Sequence, residues 1–130
     1  MAMLEVSSET VCFFIDKARE FHAKEDVVIP EDVPDSPADD WGRQVLADHA
    51  GDATYEEFKA TFDDLEPDQQ QQIVALFWLG RGDFDISEWD DAVDEARDNW
   101  TTETAEYLMA HPMVADHLLE GLTLLDLGCD

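Results

Sequence analysis

Positive charge is scarce in this chain. Of 130 residues only seven are Lys or Arg, against 33 Asp or Glu, giving a formal net charge of −26 at pH 7. Lysine occurs only as Lys17, Lys24 and Lys59. Such a balance repels nucleic acid and anionic membrane surfaces alike, so direct binding to either is not expected. Cysteine is as scarce. Cys12 and Cys129 are the only two and stand in no C-x-x-C pair. A thiolate zinc site and a disulfide framework therefore lack support, and a reducing cytoplasm is the expected compartment. No basic stretch followed by an apolar one opens the chain, so no signal peptide is expected. Alternation of apolar and polar residues, the mark of a half-buried strand, is missing throughout, and no repeat period stands out.

Motifs that carry chemistry are equally thin. There is no G-x-S-x-G elbow and no phosphate-binding glycine loop. Gly80-Arg81-Gly82 is too short to cradle a nucleotide and follows a helix rather than a strand. The four histidines, His22, His49, His111 and His117, form no H-E-x-x-H and no Glu-x-x-His. Asp116, His117 and Glu120 share part of one helix, a set more often solvated than metal-bound. Asp83-Phe84-Asp85-Ile86-Ser87 opens like a calcium loop, but its sixth position, where the turn needs Gly, is Glu88. A helix entry capped by Asp85 or Ser87 is the plainer reading. No catalytic residue, cofactor or metal is assigned.

Long apolar runs are few, and the longest uninterrupted one is Ile73–Leu79. It is too short to span a membrane. A helix apolar on every side belongs in the middle of a domain. Pro67 suits a first helical position and Gly80 a left-handed stop, so a central helix is expected over 67–79.

The other expected helices surround it. Ser7 or Ser8 caps a first helix whose stripe is Val11, Phe14, Ile15, Ala18 and Phe21, with Cys12 beside it as a small buried hydrophobe. Lys24–Asp40, with Pro30, Pro34 and Pro37 among acids, reads as an extended connector. A short helix bearing Trp41, Val45, Leu46 and His49 follows. Thr54-Tyr55-Glu56-Glu57 reads as a capping box. Beyond Asp83 comes a helix with Trp89, Ala92, Val93 and Ala96 inward, then a short one from Thr101 or Thr102, then a last one opened by Pro112. The fold expected over 1–130 is a single all-α domain, a compact bundle of six or seven short helices.

Ala75-Leu76-Phe77-Trp78-Leu79-Gly80-Arg81-Gly82-Asp83, the acidic helix from Trp89, and Tyr107-Leu108…Pro112…Leu118-Leu119-Glu120-Gly121-Leu122 together resemble an uncharacterised bacterial, mainly proteobacterial, family classed as a domain of unknown function. The likeness runs from the first helix through Gly128. It implies a cytoplasmic bacterial protein and supplies no catalytic or cofactor residue to carry over.

Three functions compete. The first is a non-catalytic protein-interaction module. Its candidate surface comprises Asp90, Asp91, Asp94, Glu95 and Asp98 on one helix face, Trp41 and Trp100 at helix ends as partner anchors, and Arg81 at the end of the central helix. The second is a DNA mimic, because carboxylates one helical turn apart lie ~5–6 Å from each other, close to phosphate spacing. The third is an enzyme or cation binder whose carboxylates meet only in the fold. A salty host cytoplasm would also explain the acidity, and then charge reports habitat alone.

Overall fold

The computed structural model describes residues 4–24 and 51–129. Apart from Lys24, the expected connector lies outside the described residues, as does the expected short helix with Trp41. Among the described residues there are six α-helices and no strand. They are α1 (Ser8–His22), α2 (Ala53–Asp63), α3 (Pro67–Arg81), α4 (Trp89–Asp98), α5 (Thr104–Met109) and α6 (Val114–Leu124). A 3-10 turn, Ile86–Glu88, leads into α4. The all-α bundle expected from the sequence is what forms.

α3 is the centre. Every residue from Gln72 to Leu79 is buried, as a helix without a polar side requires. It packs most extensively on α6 and next on α4, while α1 bridges α6 and α2. The first-helix stripe of Val11, Phe14, Ile15, Ala18 and Phe21 is buried as expected, and Phe14 meets Phe58 and Phe62 of α2 at ring separations of 4.9 and 5.5 Å. The polar groups buried with α3 have partners. Gln72 Oε1 accepts from Glu5 N–H at 2.6 Å, and Gln70 Nε2 donates to Phe62 O at 2.9 Å. Trp78 Nε1 donates to the Tyr107 hydroxyl at 2.9 Å. Satisfied this way, they avoid the penalty of an unpaired buried dipole.

Two glycines near the end of α3 have different jobs. Gly80 was expected to stop the helix, yet α3 continues to Arg81 and Gly82 takes the left-handed cap at φ 94°. Gly80 is instead where α6 crosses. A Cβ there would collide with the backbone carbonyl of His117, and a Cβ on Gly121 would strike the Leu76 carbonyl and lie 2.9 Å from Leu76 Cγ. The two helices thus meet backbone to backbone, and no larger residue fits.

Some of the other helix starts hold to expectation, Ser7 and Asp85 among them, and others shift. The capping box proposed at Thr54 is not the start of α2; Asp52 is the cap and accepts from Tyr55 N–H at 3.0 Å. An Asp two residues earlier supplies both a strong acceptor and negative charge at the positive end of the helix. Ser7 caps α1 through Thr10 N–H at 3.1 Å. Asp85 rather than Ser87 caps the entry to α4, accepting from Ser87 N–H at 3.1 Å. α5 begins at Thr104 and α6 at Val114, so Pro112 stands in the turn before α6.

The cysteines correct an expectation outright. Cys12 and Cys129 form a disulfide across 117 positions of sequence, tying the chain end to α1. Cys12 is half-buried rather than a core hydrophobe. The argument for a reducing compartment rested on these cysteines being unpaired, and their pairing removes it. No described helix is long and apolar enough to cross a membrane.

Candidate interaction surface

α4 is two-sided. Trp89, Ala92 and Ala96 are buried, and the helix packs through them on α3. Asp90, Asp91, Asp94, Glu95 and Asp98 are all exposed on the opposite side. Asp90, Asp94 and Asp98 recur every four residues, and so do Asp91 and Glu95, which places neighbours ~5–6 Å apart along the helix. The helix's one base, Arg97, spends itself locally on Asp94 at 3.0 Å. Asn99 Nδ2 donates to the Glu95 carbonyl at 2.9 Å and so closes the helix end. The structure thus gathers the five acids on one face.

The remaining candidates do not join that face. Arg81 ends α3 and binds Asp83 through Nε at 2.7 Å and Nη2 at 2.6 Å, with its guanidinium 4.7 Å from the Phe77 ring. Charge at the C-terminus of α3 suits the helix dipole. Trp100 is half-buried just past the far end of α4, where its Nε1 donates to Gln70 Oε1 at 2.8 Å. With Leu65, Pro67 and Thr102 it lines a shallow cleft of about 410 Å³. Arg81 and Trp100 flank α4 in sequence, and the helix between them is about 15 Å long at 1.5 Å per residue. Trp41 lies outside the described residues.

Acids elsewhere gather on the few bases, and Lys17 and Lys59 each hold two of them. Asp116 reaches Arg19 at 3.4 Å, while the His117 ring lies 5.7 Å from that of Phe77. Among the described residues no group of three or more His, Cys, Asp or Glu is placed to hold a metal.

One charged cluster escaped the sequence reading because its members lie on different helices. Glu106 of α5 is buried and pairs with Lys59 of α2 at 3.1 Å; Lys59 also holds Asp63 at 2.8 Å. Burial raises the Glu106 carboxyl above its ordinary range, against the opposing pull of Lys59. Burial opposes the Lys59 charge too, but Asp63 and Glu106 outweigh it and hold the ammonium at about 12. Tyr55 is pushed up to about 12, first by burial and then by the Glu106 charge. Lys59 and Glu106 therefore read as a clamp between α2 and α5.

A second feature was also missed. Phe84, Ile86 and Leu124, with Leu79 behind them, line a cleft of about 430 Å³ rimmed by Asp83, Asp85 and Glu88. Ile86 and Leu124 are 48% and 44% exposed, two of the four large apolar side chains exposed among the described residues. They come from a loop and from the end of α6, so no periodicity links them.

The chain belongs to the family described as "protein of unknown function (DUF3775)", whose model matches residues 55–127. The match spans α3 to α6 and nearly all of α2, including the Gly80–Gly121 crossing and the acidic face of α4. It is shorter than the likeness read from the sequence, which began at the first helix. Both cysteines fall outside it. No curated protein and no solved structure matches the chain.

Proposed function

We propose that this chain is a non-catalytic protein-interaction module, and that it presents the outer face of α4 to its partner. One observation carries the reading. α4 is fixed to α3 by Trp89, Ala92 and Ala96, while its five outward acids stand exposed together. Fixing the helix from one side positions the other without using it for folding. Carboxylates at regular spacing on a rigid helix suit a basic partner surface, because opposed potentials steer association and set register.

The test is affinity capture from the host's extract at the host's ionic strength, with two baits. One is the native chain; the other has Asp90, Asp91, Asp94 and Asp98 replaced by Lys. The proposal expects a discrete protein held by the first bait and lost from the second. The same proteins on both baits would refute it.

A second reading is favoured by the i, i+4 row itself. Asp90, Asp94 and Asp98 could imitate successive phosphates and occupy the basic site of a nucleic-acid-binding protein. A mimic must displace duplex DNA from DNA-binding proteins of its own host. If heparin does so and this chain does not, the second reading fails.

A further inference from the structure

The cleft between the α3–α4 loop and the end of α6 combines features that the α4 face alone lacks. Its floor is apolar, built from Leu79, Phe84, Ile86 and Leu124. Phe84 is braced from behind by Trp78 at a ring separation of 6.0 Å, so the floor is fixed to the central helix. The 3-10 turn that displays Ile86 is held by a reciprocal cap: Asp85 accepts from Ser87 N–H, and Glu88 Oε1 accepts from Asp85 N–H at 3.0 Å. A rigid turn that exposes a large aliphatic side chain incurs a solvation cost unless something covers it.

Charge selects the occupant. The rim carries three carboxylates, Asp83, Asp85 and Glu88, and no base; Arg81, outside the lining, is paired with Asp83. A second copy of this chain would bring another net charge of −26 to the cleft. What fits is apolar in the middle and basic at its edges.

We propose that this cleft receives a short basic amphipathic segment of a partner protein, its aliphatic side chains on Phe84, Ile86 and Leu124 and its Lys or Arg residues toward Asp83, Asp85 and Glu88. The proposal deepens the interaction reading and rests on it: the cleft opens beside the first turn of α4, so one basic partner reaches both. Apolar anchors supply affinity through desolvation, and the acidic rim supplies orientation and rate.

The probe is a 14-residue helical peptide of leucine and lysine, titrated into the intact chain and followed by amide NMR shifts. A second peptide with serine in place of leucine serves as control. Saturable shifts should centre on residues 82–88 and on Leu124. The Ile86→Lys, Leu124→Lys double variant, altered only at exposed positions, should bind about tenfold more weakly or worse, as loss of an apolar anchor implies. The variant reversed at Asp90, Asp91, Asp94 and Asp98 should keep shifts at residues 82–88. The inference is overturned if the serine peptide binds as well as the leucine peptide. It is equally overturned if shifts spread along α4 and the Ile86/Leu124 variant is indifferent, or if no shift appears. In those cases the α4 reading still stands or falls by its own two-bait capture.

Discussion

α3 and α4 follow one another in sequence and pack together, yet they face opposite demands. α3 has no charged residue between Asp68 and Arg81 and is buried on all sides from Gln72 to Leu79. α4 buries three residues and exposes five acids. The first helix is specified by everything around it, and substitutions there are judged by packing. The second is specified along one stripe, which leaves its outer composition open to another use. The contrast separates what holds the fold from what the fold presents.

The comparison breaks most forcefully at Gly80. Gly80→Ala removes an unfavourable helical glycine, worth about 1 kcal/mol in isolation. Its new Cβ, however, meets the His117 carbonyl across the α3–α6 crossing, and backbone cannot turn aside as a side chain can. Overpacking should win, at about 3 kcal/mol or more, read as a lower urea midpoint. Stability unchanged or raised would show that the helices do not cross there.

Reducing the Cys12–Cys129 bond comes next. It closes a loop of 117 residues, so its loss should cost about 2–4 kcal/mol through the entropy regained by the unfolded chain. The check is the thermal midpoint with and without reductant, against a Cys12→Ser, Cys129→Ser form that should not respond to reductant.

A smaller effect is expected at the clamp. Lys59→Met strands the buried Glu106 carboxylate and should cost about 1–3 kcal/mol, with Glu106→Gln in the same chain restoring part of the loss. The native pair also sets an alkaline limit. Lys59 and Tyr55 both hold their protons more tightly when folded, each with a pKa near 12. Their contribution is complete below about pH 10 and falls away as pH rises through 12, because the unfolded chain gives up those protons first. Urea midpoints between pH 9 and 12 should decline in the native chain and decline less in a Tyr55→Phe, Lys59→Met form.

The smallest effects belong to α4 and differ in sign. Asp90 sits in the first turn, where negative charge is favourable, and Asp98 in the last, where it is not. Asp90→Asn should lower stability and Asp98→Asn raise it, each by about 0.3–1 kcal/mol at low salt. Larger losses from both would mean that the outer face is part of the fold.

Much of α3 was legible in the sequence because its signal is local: one apolar run, Pro67 at its start, a glycine near its end. Which glycine ends it was not, because Gly80 is taken up by α6, forty residues away in sequence. Asp52 outcompeted Thr54 as a cap for a reason the sequence contains, an acid just before the helix, but a capping-box pattern further in drew attention from it. Cys12 and Cys129 could be paired only once α6 had brought the chain end back to α1. The acids of α4 announced themselves through their spacing. Ile86 and Leu124 did not, because a cleft shared by a loop and a distant helix end has no period to detect.

The most direct test of the α4 claim compares two exposed acids in the living host. A photo-reactive residue replaces Asp94 on the outer face of α4, or Glu56 on α2, which is also an exposed acid. If α4 is the partner's surface, irradiation yields a discrete protein adduct from position 94 and none from position 56. Matching adducts from both positions, or none from either, would contradict the claim and leave the acidity as solvation.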